Sequence, residues 1–118
     1  MFDLCLFAGT TEGRRLVEFL RETPLSVYVS VATEYGETLV PQGSNITVHA
    51  GRLDRAQMAA LFARERFALV VDATHPFAAE ATGNIASAAG ETGIEVVRLV
   101  REEEGAVAEA TYAASIAE

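Results

Sequence analysis

The chain has no lysine and no tryptophan, a single cysteine, three prolines and no long apolar run. Each absence excludes something. All nine basic residues are arginines, set against 17 Asp and Glu, and the formal net charge is −8. An acidic chain without a basic cluster is a poor partner for nucleic acid, where cation–phosphate contacts carry the binding. An anionic ligand must then be held locally, by helix N-termini, backbone amides or a few placed arginines. No apolar stretch approaches the roughly 18 to 20 residues that span a bilayer, and the N-terminus lacks a signal-peptide layout. No membrane partner is expected, and the cytoplasm is the expected location. The one cysteine, Cys5, has no second thiol to pair with. Its apolar neighbours make it a buried, unreactive side chain. No metal site is expected.

Half of the 118 residues are apolar, enough for one compact domain with a real core. Phe2–Ala8 reads as a buried strand. Leu16, Val17, Phe19 and Leu20 follow with helical spacing that stops near Pro24. "LSVYVSVA", residues 25–32, alternates and is β-branched, so it is a second strand. Residues 33–43 form a loop or short helix, and Asn45–His49 a short third strand. Asp54 and Gln57 have capping-box spacing and open a helix carrying Met58, Leu61 and Phe62 on one face. The almost wholly apolar Phe67–Val71 suits a central parallel strand covered on both sides. Pro76 suits a first helical position, and an Ala-rich helix runs from Phe77 to Thr92, with Gly93 placed to end it. Ile94–Val100 is the fifth strand.

Strands alternating with helices imply right-handed crossovers and a parallel sheet. The expected fold is α/β, a Rossmann-like doubly wound parallel sheet of five strands. Residues 1–103 form the nucleotide-binding domain. Residues 104–118, after the charged break at Arg101–Gly105, are a linker or the start of a second domain. The last residues read as the beginning of another element, so the chain is expected to be the first of two domains.

In such a sheet, ligands sit beyond the C-terminal strand ends, near the topological switch point. After strand one, "FAGTTEG" turns from strand to helix. Gly9 permits a turn that a Cβ would obstruct, and Thr10, Thr11 and Glu12 bring hydroxyls and amides to a helix start, where anions bind. The same loop reads equally as a threonine N-cap with no ligand. After strand two comes Thr33-Glu34, and after strand three Gly51-Arg52. After strand four comes Asp72-Ala73-Thr74-His75-Pro76-Phe77. There Thr74 is either a ligand contact or a helix cap, and Asp72 is structural, buried and bonded to loop amides. Two other readings compete. One is a non-catalytic nucleotide-binding or regulatory domain, since fold alone does not fix function. The other is a receiver-like signalling domain, which needs a cluster of acids near the end of strand one and a lysine after strand five; the chain has no lysine.

"LFAGTTEGRRLVEFL", "VATEYGETL", "GRLDRAQMAALF" and "VVDATHPFAAEATGNIASAAGETGIEVVRLVRE" together closely resemble the precorrin-6A reductase family, over about residues 3 to 103. The run "DATHPFA", then "NIASA" and "RLVR", is the most specific part. The resemblance implies a reductase of corrin (vitamin B12) biosynthesis that delivers hydride from a reduced nicotinamide cofactor to a tetrapyrrole macrocycle. It also implies a second α/β domain, with the substrate between the two. Gly9, Thr10, Thr11, Glu12, Thr33, Arg52 and Thr74 are the expected cofactor contacts. An acid such as Glu34 after strand two favours a free ribose 2′-hydroxyl, whereas Arg52 offers a partner for a 2′-phosphate. NADP(H) is the expected cofactor, with NAD(H) possible. His75 is the expected catalytic residue, because histidine titrates closest to neutrality and can act as a general acid; its competing roles are a hydrogen bond to the cofactor ribose or a substrate carboxylate, or bracing of the Pro76 turn. Arg14, Arg15, Arg52, Arg98 and Arg101 are the cations available to a substrate rich in carboxylates.

Overall fold

The structure is a computed structural model that describes residues 2–100 and the backbone of 110–112. The charged segment 101–109 and residues 113–118, with the readings placed on them, lie outside the described residues. The elements in chain order are β1 (Leu4–Ala8), α1 (Thr11–Leu20), β2 (Val27–Val31), α2 (Glu34–Thr38), β3 (Ile46–Ala50), α3 (Arg55–Glu65), β4 (Leu69–Ala73), α4 (Ala79–Thr92), β5 (Val96–Leu99) and β6 (Ala110–Tyr112). The sheet order is β3-β2-β1-β4-β5-β6. The five strands expected from the sequence are all parallel. β6 adds an antiparallel pairing on the β5 edge, where three residues are too few for a period to be read.

β1 lies between β2 and β4, with Leu6 beside Val29 on one side and Val71 on the other. Successive side chains of a strand point to opposite faces, which divides the core in two. Cys5, Phe7 and Val70 pack with Met58, Leu61 and Phe62 of α3 and with Ile85, Ala88 and Ala89 of α4. Leu6, Ala8, Val29, Val31, Val71 and Ala73 pack on the other face with Val17 and Leu20 of α1 and with Val40 after α2. Each face buries several large side chains completely, Phe62 and Leu6 among them, and each such side chain contributes about 1.5–3 kcal/mol. Helices therefore cover both faces, and the chain changes direction between β1 and β4. That is the switch point, where the two central strands end side by side beneath the loops that follow them. Among the described residues no helix is long and apolar enough to cross a membrane.

The capping box of α3 is present as the sequence indicates, and Gly93 ends α4 in the left-handed conformation at φ 78°. β1, β2 and β5 are shorter than the expected runs, whereas β3 and β4 sit one and two residues further along, so that Asp72 and Ala73 lie within β4 rather than after it. The start of α4 differs more. Pro76 is not its first residue; the helix begins at Ala79, with no side-chain cap. The Ala78 amide donates to the His75 carbonyl at 2.8 Å, and the Phe77 amide donates to His75 Nδ1 at 3.1 Å. These two bonds close a turn over residues 75–78 that competes with the first helical turn.

Candidate functional site

Two loops form the site, one after each central strand. In the first, Thr10 is the N-cap of α1 and its Oγ1 accepts from the Gly13 amide at 3.2 Å. The same hydroxyl donates to the Ala73 carbonyl at 3.0 Å, and the Gly9 amide donates to that carbonyl at 3.1 Å. The first loop is thus tied to the end of β4. It also means that the Thr10 hydroxyl proton is already used and is not on offer to a ligand. Thr11 differs: its Oγ1 accepts from Arg14 Nη2 at 3.2 Å, which leaves its own proton free to donate.

The glycines divide their work otherwise than the motif suggests. A Cβ on Gly9 would find ordinary contacts, the nearest being Thr74 Cα at 3.5 Å, and the backbone φ there is not positive. The turn itself therefore does not need this glycine. A Cβ on Gly13 would lie 2.9 Å from Ala73 Cβ and 3.3 Å from Ala8 Cα, so Gly13 is the residue that lets α1 lie close on β1 and β4.

The second loop is built on a buried ion pair. Asp72 is the penultimate residue of β4 and is 1% exposed. Its Oδ1 accepts from the Thr74 amide at 3.0 Å and the Thr74 hydroxyl at 2.7 Å. Its Oδ2 accepts from Thr82 Oγ1 of α4 at 2.8 Å and from Arg98 Nη1 of β5 at 2.9 Å. Arg98 Nη1 also lies 2.9 Å from Thr82 Oγ1. Asp72 has the structural role expected, but its charged partner was not anticipated. Arg98, expected among the cations for the substrate, is instead committed to Asp72. An acid and an arginine each interrupt an apolar strand, but only the register of the folded sheet sets Asp72 beside Arg98. Thr74 does not cap α4, because its side chain belongs to this network.

Beyond the network, His75 is exposed. The Phe77 amide occupies its Nδ1, so the neutral ring carries its proton on Nε2. The Phe77 ring leans on the imidazole, with centroids 5.2 Å apart at 42°.

Two clefts meet at Gly9, Thr74 and His75. One, of about 430 Å³, runs between the loops and is lined by Thr10, Thr11, Glu12 and Arg14 on one side and by Phe77 and Leu99 on the other. The second, of about 240 Å³, opens on the α3 side and is lined mainly by apolar groups such as Phe7, Val31, Leu53 and Met58, with Arg52 at its edge. The buried Ser30 is also in its wall. Arg52 follows Gly51, whose φ of 133° is open to few residues besides glycine, and no hydrogen bond or ion pair holds its guanidinium among the described residues. Thr33 is peripheral: it caps α2 by accepting from the Gly36 amide at 2.9 Å, and it lines a smaller recess beside Gly9. Seven of the eight expected residues thus border the two joined clefts, and Thr33 borders the recess next to them.

Fold and site together define a Rossmann-type doubly wound α/β domain with an open cleft at the switch point. The sequence profile of the precorrin-6x reductase CbiJ/CobK family matches residues 3–118, and the chain belongs to that family. It is 36% identical over 102 residues to the cobalt-precorrin-6A reductase of Methanothermobacter thermautotrophicus, covering 86% of this chain and 34% of the relative. It is 37% identical over 101 residues to the precorrin-6A reductase of Sinorhizobium sp., covering 85% and 38%. A solved structure of CobK precorrin-6A reductase superposes with a TM-score of 0.74 at 29% identity, over 91% of this chain and 41% of that one. The chain therefore spans little more than a third of the length of these curated relatives.

Proposed function

We propose that this chain is the cofactor-binding domain of a precorrin-6A reductase, acting on the cobalt-free or the cobalt-containing macrocycle together with a second α/β domain. The observation that carries the reading is the pair of joined clefts at the switch point, in a chain of this family. A reduced nicotinamide dinucleotide suits them. Gly9 lines both clefts without a side chain, leaving room where a pyrophosphate would approach. The first-turn amides of α1 and the Thr11 hydroxyl would bind it, with Glu12 contributing through its backbone because a carboxylate repels phosphate. The apolar cleft by Met58 suits the adenosine end. When bound, the cofactor supplies a hydride.

The remaining work falls to the protein. The Asp72–Arg98 network fixes Thr74, whose backbone would border the cofactor. His75 lines both clefts and is the proposed proton donor to the position that gains a proton after reduction; it would act as the imidazolium, whose Nδ1 gives up the Phe77 amide bond. Thr33 would contact the ribose from the edge of the neighbouring recess.

Arg52 makes NADP(H) the proposed cofactor, since an exposed guanidinium without a partner among the described residues is well suited to a 2′-phosphate. The test compares the two cofactors by fluorescence titration. Arg52→Ala is expected to weaken NADPH about ten- to a hundredfold and NADH little. Equal losses for both would remove Arg52 from this role, and tighter NADH binding by the parent would point to Glu34 as the ribose acceptor.

A further inference from the structure

Phe77 is 89% exposed, the most exposed of the large apolar side chains among the described residues. A single exposed apolar residue is ordinary, but this one is held in place. Its amide is bonded to His75 Nδ1, the Ala78 amide closes the turn on the His75 carbonyl, and Pro76 fixes the backbone between them. Among the described residues the ring's one aromatic neighbour is the His75 imidazole. Phe19 and Tyr35 are also exposed, at 66% and 73%, but they stand on α1 and α2 and line neither switch-point cleft. Phe77 forms the rim of the larger cleft, continuing an apolar strip with Leu99 and Val100. Thr11 and Arg14, on the first loop and α1, line the same cleft, and among the described residues the Arg14 guanidinium donates to Thr11 Oγ1, which leaves most of its donors open.

A cleft with an apolar rim on one side and an arginine on the other matches a flat conjugated ring system edged with carboxylates. We infer that Phe77 is a substrate-contacting residue: one face of the macrocycle packs on its ring beside His75, and a peripheral carboxylate meets Arg14. This rests on the reading of the chain as a precorrin-6A reductase domain. The turn presents the ring already oriented, so little conformational entropy is lost when the substrate arrives. The same turn sets the imidazole at the edge of the bound face, where a proton would be delivered.

The test uses the full-length reductase with NADPH and precorrin-6A, comparing the parent with Phe77→Ala, Phe77→Leu and Phe77→Trp. Phe77→Ala is expected to raise the KM for the macrocycle about three- to tenfold. Phe77→Leu should recover part of this, and Phe77→Trp should stay within about twofold of the parent. The Kd for NADPH should be unchanged, and the melting midpoint should stay within about 2 °C, as for a surface substitution. An unchanged KM overturns the inference. So does a weakened NADPH Kd, which would assign the ring to the cofactor, or a large fall in melting temperature, which would assign it to packing against the second domain. A parent enzyme that neither binds NADPH nor reduces the macrocycle defeats the underlying reading, and Phe77 falls with it; an active parent with an indifferent Phe77→Ala defeats Phe77 alone.

Discussion

The loops after β1 and β4 lie side by side at the switch point, yet they are held by different physics. The first is short and rigid because α1 starts at once. Gly13 lets the helix sit against Ala73 and Ala8, and the Thr10 hydroxyl is used twice within the protein. The second is longer, and α4 does not begin until Ala79. Its near part hangs on a buried carboxylate–guanidinium pair and its far part carries an exposed histidine and phenylalanine. One loop is fixed by close packing and offers backbone amides and the Thr11 hydroxyl. The other is fixed by charge and offers side chains. On the proposed reading this is a division of labour, with the first loop holding phosphates and the second meeting the substrate.

The largest effect should come from the far part of the second loop. In the full-length enzyme, His75→Gln is expected to lower kcat by about 10²- to 10⁴-fold, the usual contribution of a general acid, with NADPH affinity nearly unchanged. A kcat within a few-fold of the parent would remove the proton-donor role. A fall in NADPH affinity instead would make both loops cofactor loops and erase the contrast.

Next is the near part of that loop. Asp72→Ala leaves the Arg98 guanidinium, with 16% of its side chain exposed, without its counter-charge. Breaking a buried pair by removing one partner typically costs about 3–5 kcal/mol, a large share of the roughly 5–15 kcal/mol that stabilises a domain. Urea denaturation of the 118-residue chain measures this, and a loss below about 1 kcal/mol would show that the network does not anchor the loop. A smaller cost is expected in the first loop. Gly13→Ala improves helix propensity by about 1 kcal/mol, but its Cβ meets Ala73 Cβ at 2.9 Å, and overpacking costs about 1–3 kcal/mol. A net destabilisation of about 1 kcal/mol is expected in the same assay; a more stable variant would mean that α1 is free to move off the sheet.

The contrast also separates what could be read from the sequence. Continuous apolar runs and patterns of period two and 3.6 located β1 to β5 and the three long helices, because burial on one face or on both writes itself into local spacing. The capping box at Asp54 and the stop at Gly93 were legible for the same reason. The strand-end loops were recognisable as the place for a site. Their internal wiring was not. Asp72 and Arg98 are 26 residues apart and meet only through strand register, which no local pattern specifies. Gly9 read as the glycine that the turn requires, whereas close packing requires Gly13. The turn at residues 75–78 displaced the expected Pro76 start through a side chain, His75, accepting a backbone bond, a competition that propensity does not reveal.

Gly9 lies between the loops and tests the division of labour most directly. A side chain there would fill the space next to Thr74 and His75, so the parent chain and Gly9→Val should be titrated with NADPH under identical conditions, with melting curves recorded for both. The account predicts that Gly9→Val stays folded and binds NADPH at least about tenfold more weakly, a loss of about 1.4 kcal/mol or more. Equal affinity in the two proteins would contradict it, because the cofactor's phosphates could not then lie on the first loop.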